Sequence, residues 1–200
     1  LCDVDVLLML DSPSYFASRW TAAEYGRALA KGIGVLRVEW PTAAPSGVTG
    51  TSSLVQLTSA DFQPDSSLQP AALDRVCDRL EDFRSLAHAT RHLGIVGAVE
   101  DAVAKIRGRV EGMDAHRAMQ IRLRSGKQLI VQPIVGVPTA VTLQQALERA
   151  GKLESAIVYD HMGIKPSWLT HMSWLAASVK GARWIKSTEA AWDLAGWETT

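Results

Sequence analysis

Residues 4–38 read VDVLLMLDSPSYFASRWTAAEYGRALAKGIGVLRV, and this stretch decides the fold. Residues 4–10 are a nearly continuous apolar run closed by Asp11, Ser12, Pro13 and Ser14. An apolar run bounded by turn residues suits a strand buried on both faces of a parallel sheet. Residues 18–31 are rich in Ala and carry Trp20, Tyr25 and Leu29 at helical spacings, with Ser18 placed as N-cap and Gly32 as the stop. Residues 33–38 form a second apolar run, followed by Glu39, Trp40 and Pro41. Strand, helix and strand in so short a span make a βαβ unit with adjacent parallel strands and a right-handed crossover.

Outward from this unit, residues 41–53 read as a Pro-, Gly-, Ser- and Thr-rich loop, 53–57 as a third strand and 61–69 as a polar connection. Residues 70–88 turn helical, with Pro70 suited to the first helical position and Leu73, Val76, Cys77, Leu80 and Phe83 on one face. A second helix is expected from about residue 95 or 99 to 110, and Gly112-Met113-Asp114 reads as a boundary. Beyond it the α/β rhythm resumes: a strand over 128–137, where Pro133 favours a bulge or an edge, a helix over 142–150 ended by Gly151, and a strand over 155–159. A helix over 167–179, a strand over 182–185 and a helix over 188–195, capped by Ser187, complete it. The expected fold is α/β: a parallel sheet flanked by helices in residues 1–112, then a second, smaller α/β unit in 113–200.

Lys plus Arg total 21 against 21 Asp plus Glu, so net charge gives no argument for nucleic acid or an anionic membrane as partner. A hydrophobic share of 47% excludes wholesale disorder. The only cysteines, Cys2 and Cys77, cannot build a disulfide framework or a four-thiolate zinc site, and are compatible with a reducing cytoplasm. No apolar run approaches the roughly 20 residues of a membrane-spanning helix, and no signal-peptide pattern opens the chain. The first residue is Leu1, not Met, and an apolar strand follows almost at once, as expected of a fragment whose beginning is missing.

The stretch from Ser12 to Glu24 carries the chemistry. It places a serine-rich loop at the carboxyl end of a parallel strand, where open α/β sheets bind ligands. Trp20 and Glu24, four residues apart, share a helical face. A carboxylate near an indole and a polar loop can accept ribose hydroxyls. It can also stabilise the positive charge that develops on a sugar ring when an N-glycosidic bond breaks.

On these residues the segment resembles the Toll/interleukin-1 receptor (TIR) domain family, particularly its bacterial NAD-cleaving members. The pattern is an apolar strand, a serine loop, Ser-x-Trp-x-x-x-Glu at a helix start, and a second apolar strand, here ending in Glu39-Trp40-Pro41. The stretch from Leu57 to Phe62 is similar to the segment after the family's last strand. The resemblance covers roughly residues 1–110 and only the second half of such a domain; the first strand, first helix and BB loop would lie upstream. It implies a flavodoxin-like arrangement, with Glu24 as catalytic glutamate and Ser12, Ser18 and Trp20 binding substrate. Thr21 stands where many members have Cys. NAD would be substrate, so neither cofactor nor metal is implied. Self-association through TIR–TIR contacts, a cytoplasmic location and a role in bacterial immune signalling are the further implications.

Elsewhere the residues are less informative. Asp160-His161 follows the strand over 155–159, with His171 on the next helix, and such a pair can do acid–base work. Gly136 to Thr139 form a strand-to-helix loop, Arg117, Arg122, Arg124 and Lys127 cluster, and His88 and His92 lie four apart. Trp168, Trp174, Trp184, Trp192 and Trp197 crowd the end of the chain, as for core packing or a subunit interface. Three functions are therefore open: a TIR-type NAD glycohydrolase, a non-catalytic TIR-like scaffold, and an unrelated nucleotide-processing enzyme with its site near Asp160-His161.

Overall fold

A computed structural model describes residues 4–12, 14–41, 53–160 and 164–197. The chain is mixed α/β and folds as two units, one up to Ala89 and one from Thr90.

The first unit is built on a three-stranded parallel sheet in the order β1 (Val6–Asp11), β2 (Gly34–Glu39), β3 (Ser53–Gln56). Between β1 and β2 runs α1 (Arg19–Ala30), the expected crossover helix. Gly32 ends it for a specific reason. At φ 63° it takes the left-handed conformation, so its N–H reaches the Leu29 carbonyl at 3.0 Å and that of Ile33 reaches Ala28 at 2.9 Å. Ala28 and Ile33 then join Met9 and Val35 in the core on one sheet face. The opposite face, through Leu36, Val38 and Val55, packs on Val76 and Phe83 of α2 (Pro70–Lys105). Helices thus cover both faces of the sheet. The loop expected over residues 41–53 lies largely outside the described residues.

The two helices expected over 70–88 and from 95 or 99 to 110 are instead a single 36-residue helix. Nothing between them forces a break: there is no proline, and Gly94 and Gly97 face open space. Each glycine costs roughly 1 kcal/mol relative to Ala, which a helix packed over its length absorbs. The helix stops at Lys105. Arg107 adopts the left-handed conformation at φ 60°, and the Gly108 N–H closes on the Val103 carbonyl at 2.9 Å. Residues 109–110 accordingly belong to a strand.

The second unit holds β4 (Arg109–Met113), β5 (Met119–Arg122), β6 (Gln128–Ile134), β7 (Glu154–Tyr159) and β8 (Ala182–Lys186), adjacent in that order. β4, β5 and β6 pair antiparallel, while β6, β7 and β8 pair parallel through α3 (Ala140–Ala150) and α4 (Pro166–Ser178). One face packs Met119, Ile121, Val131, Val158 and Ile185 against the second half of α2 and against α5 (Ala190–Ala195). The other packs Ile157 and Ala182 against Leu143 and Ala146 of α3 and Leu175 of α4. Because β4 and β5 belong to this sheet and the end of α2 packs on it, the second unit begins at Thr90, not near residue 113, and is the larger of the two. Pro133 lies in a central strand without a bulge, two residues past Val131, the last β6 partner of β5. Ser187 opens a 3-10 turn instead of capping a helix with its side chain.

The β4–β5 hairpin is pinned by charge. Glu111 accepts from Arg122 Nε at 2.5 Å, Gln128 Nε2 at 2.7 Å and Arg109 Nη2 at 3.1 Å. These donors, Arg122 foremost and then Gln128, hold its carboxyl at about 2 instead of the ordinary 4.5. The folded value lies below the unfolded one, so the hairpin gains stability above the ordinary value and loses it as pH falls toward about 2. An NMR titration should place the Glu111 midpoint near about 2, and Arg122→Gln should move it upward. An ordinary midpoint in the wild type would contradict the geometry.

Gly108, in the turn between α2 and β4, has no room for a side chain. A Cβ there would lie 2.8 Å from the Arg122 carbonyl oxygen and 3.1 Å from Val103 Cγ1. Backbone cannot swing aside, so Gly108→Ala should cost about 1–3 kcal/mol in urea unfolding. A neutral substitution would show that this turn relaxes freely.

Candidate active site

The carboxyl ends of β1 and β2 gather the polar residues of the first unit. Asp11, the last residue of β1, is 1% exposed. Its Oδ2 lies 2.6 Å from Arg37 of β2, whose Nη2 also reaches Glu39 at 3.2 Å. The register that pairs Met9 with Arg37 and Asp11 with Glu39 brings the three side chains to one sheet face. Backbone bonds extend the frame, since the Trp40 N–H donates to the Asp11 carbonyl at 3.1 Å.

From Asp11 the chain enters the serine loop. The Ser12 carbonyl accepts from the Tyr15 N–H at 3.0 Å, and a 3-10 turn spans Tyr15–Ala17. The Thr21 hydroxyl donates to the Tyr15 carbonyl and also lies 3.0 Å from the Ser18 carbonyl. Thr21 therefore ties the loop to the first turn of α1. Ser12 and Ser18 are half-buried. Ser18 occupies the N-cap position with extended backbone, but its side chain makes no capping bond.

Glu24 lies on α1 with its residue exposed, and among the described residues it forms no ion pair with Arg27 or Lys31. Its charge is felt at Tyr15. Burial first, then the negative charges of Glu24 and Asp11, push the Tyr15 phenol above its ordinary 10.0. At neutral pH this hydroxyl stays protonated, a donor within the field of two carboxylates. Phe16 packs edge-on between Tyr15 and Tyr25, at 5.0 Å and 5.9 Å between ring centres. Trp20 is not core. It is 68% exposed, and the Arg19 guanidinium lies 5.2 Å from its ring centre. Tyr15 and Arg37 were not singled out in the sequence, although a charged residue inside the apolar run 33–38 is itself a signal.

Cavities of about 640, 300 and 290 Å³ occur among the described residues. The smallest lies beside Trp40 and Pro41, against Phe62, at the carboxyl end of β2. Ser12, Ser18, Trp20 and Glu24 line none of the three.

In the second unit, Asp160 does sit just past the end of β7, held by Arg91 at 3.6 Å. His161 lies outside the described residues. His171 stacks on Trp174 at 6.0 Å and meets Trp168 at a tilt, 5.1 Å between ring centres. Asp160 lines none of these three cavities. His92 is buried, and no group of three His, Cys, Asp or Glu side chains is placed to hold a metal among the described residues. No helix of the described residues is long and apolar enough to cross a membrane. Of the five late tryptophans, Trp197 is core whereas Trp174 and Trp192 are exposed.

Comparison of the chain with protein-family models, with curated proteins and with solved structures finds no match in any of the three.

Proposed function

We propose that the first unit is part of a TIR-type domain that cleaves NAD between nicotinamide and ribose. The observation that carries this reading is the parallel β1–α1–β2 unit with its serine loop at the carboxyl edge, where α1 sets the Glu24 carboxylate within electrostatic reach of protonated Tyr15. In this reading Glu24 accepts the ribose hydroxyls and offsets positive charge as the C1′–N bond breaks. The electron pair leaves with nicotinamide, and water adds to C1′ with loss of a proton, or an internal nucleophile closes a cyclic product. Ser12 and Ser18 shape the pocket, and NAD is substrate with no resident cofactor. Cytoplasmic immune signalling by a self-associating protein is the setting this reading brings with it.

Exposed apolar side chains favour a second reading, the scaffold. Leu8 and Leu10 on β1 are 38% and 48% exposed, and Trp20 projects from α1. Such residues suit self-association. Nicotinamide release from NAD by the full-length protein separates the two: an enzyme releases it, whereas a scaffold self-associates and leaves NAD intact.

A further inference from the structure

The largest of the three cavities belongs to neither reading. It lies within the second unit, has a volume of about 640 Å³ and is lined by Lys105, Ile106, Arg107, Arg124, Ser125 and Ala195. We propose that it is a binding site for a small phosphorylated anion of nucleotide size.

Three cations come to it from separate elements. Lys105 ends α2, Arg107 follows in the turn, and Arg124 comes from the turn between β5 and β6, with the Ser125 hydroxyl beside it. Lys105 by itself would be the cation that any helix C-terminus favours. Arg107 and Arg124 lie beyond that helix, so its dipole does not account for them. No carboxylate is among the lining residues, and among the described residues neither Lys105 nor Arg107 stands in an ion pair.

Of the basic cluster over residues 117–127, Arg122 is taken by Glu111 and Lys127 by Glu154 at 3.1 Å. Arg124, from the same cluster, lines the cavity. Arg107 also holds its place at φ 60°, where glycine is easier, which keeps a guanidinium at the rim. Guanidinium groups bind phosphate oxygens in pairs, and a hydroxyl completes such a cradle. The size favours a small ligand, since clefts of roughly 300–1,000 Å³ hold molecules of nucleotide scale. A nucleic acid would instead call for an extended basic stripe, which the Glu111 and Glu154 pairs interrupt.

Titration calorimetry on the whole chain tests this with ATP and with inorganic pyrophosphate as probes. Either probe should bind, more weakly as salt rises. Lys105→Gln, Arg107→Gly and Arg124→Gln should each weaken binding about tenfold, and the triple variant should abolish it. Glycine suits the backbone at 107, so Arg107→Gly removes the charge without threatening the fold. The proposal is overturned by a wild type that binds neither probe, or by undiminished binding in a folded triple variant. A single-stranded oligonucleotide that binds far more tightly than both probes would overturn it in favour of a nucleic-acid surface. None of these outcomes depends on NAD cleavage by the first unit.

Discussion

Glu24→Gln in the full-length protein is expected to lower nicotinamide release from NAD by about 10²–10³-fold, the usual loss when one preorganised electrostatic contact is removed. Gln keeps the size and some hydrogen bonding of Glu but loses the charge, so the substitution separates electrostatics from shape. Glu24 is exposed and forms no ion pair with its helical neighbours, so the unfolding midpoint and self-association should not change. That combination distinguishes a reacting group from a structural one. Trp20→Ala makes a useful contrast. The indole is 68% exposed, so its removal should cost far less stability than the loss of a core aromatic, and any fall in activity would report contact with substrate. Full activity in Glu24→Gln would refute the catalytic assignment.

The largest stability effect is expected at Arg37. Its guanidinium lies against the buried Asp11 carboxylate, and side-chain exposures of 12% and 2% leave little water to take over. Arg37→Met removes one partner and leaves the other charge buried, which typically costs about 3–5 kcal/mol. Denaturant unfolding, with hydrogen exchange at β1 and β2 amides, should show the loss confined to the first unit. Replacing both partners, Asp11→Asn with Arg37→Met, should recover part of it, because the buried Asp11 charge is then gone and only the partly exposed Glu39 loses its cation. A loss below about 1 kcal/mol for Arg37→Met would mean that this pair behaves like an exposed one. Since Asp11 directly precedes Ser12, the same substitution should also loosen the serine loop.

The βαβ unit was legible because its signals are local. Residues 4–10 and 33–38 are apolar runs bounded by turn residues, and Gly32 supplies the left-handed cap that the helix end requires. The strands at 128–134, 154–159 and 182–186 were legible for the same reason. β4 was not. Its residues are largely exposed and two of the five are charged, so neither period 2 nor an apolar run marks them, and the hydrophobic pattern of α2 was carried through to Val110. The continuity of α2 was hidden because its apolar face changes partner along its length: Val76 and Phe83 serve one core, Val99 and Val103 the other. Two shorter helices were the natural reading of that shift. In the site, Glu24 and the serines follow from one segment, whereas the Asp11–Arg37 pair depends on strand register across 26 residues. The grouping of Lys105 and Arg107 with Arg124 depends likewise on the β4–β5 hairpin that the pattern did not reveal.

The proposed reaction is read most directly by following NAD itself, by NMR, in the presence of the full-length protein and any partner it requires. The expected result is free nicotinamide appearing together with ADP-ribose or a cyclised relative, with wild type, and almost none with Glu24→Gln. NAD that stays intact with the wild type, or that is cleaved equally by both proteins, would contradict the assignment of the β1–α1 edge as an NAD-cleaving site.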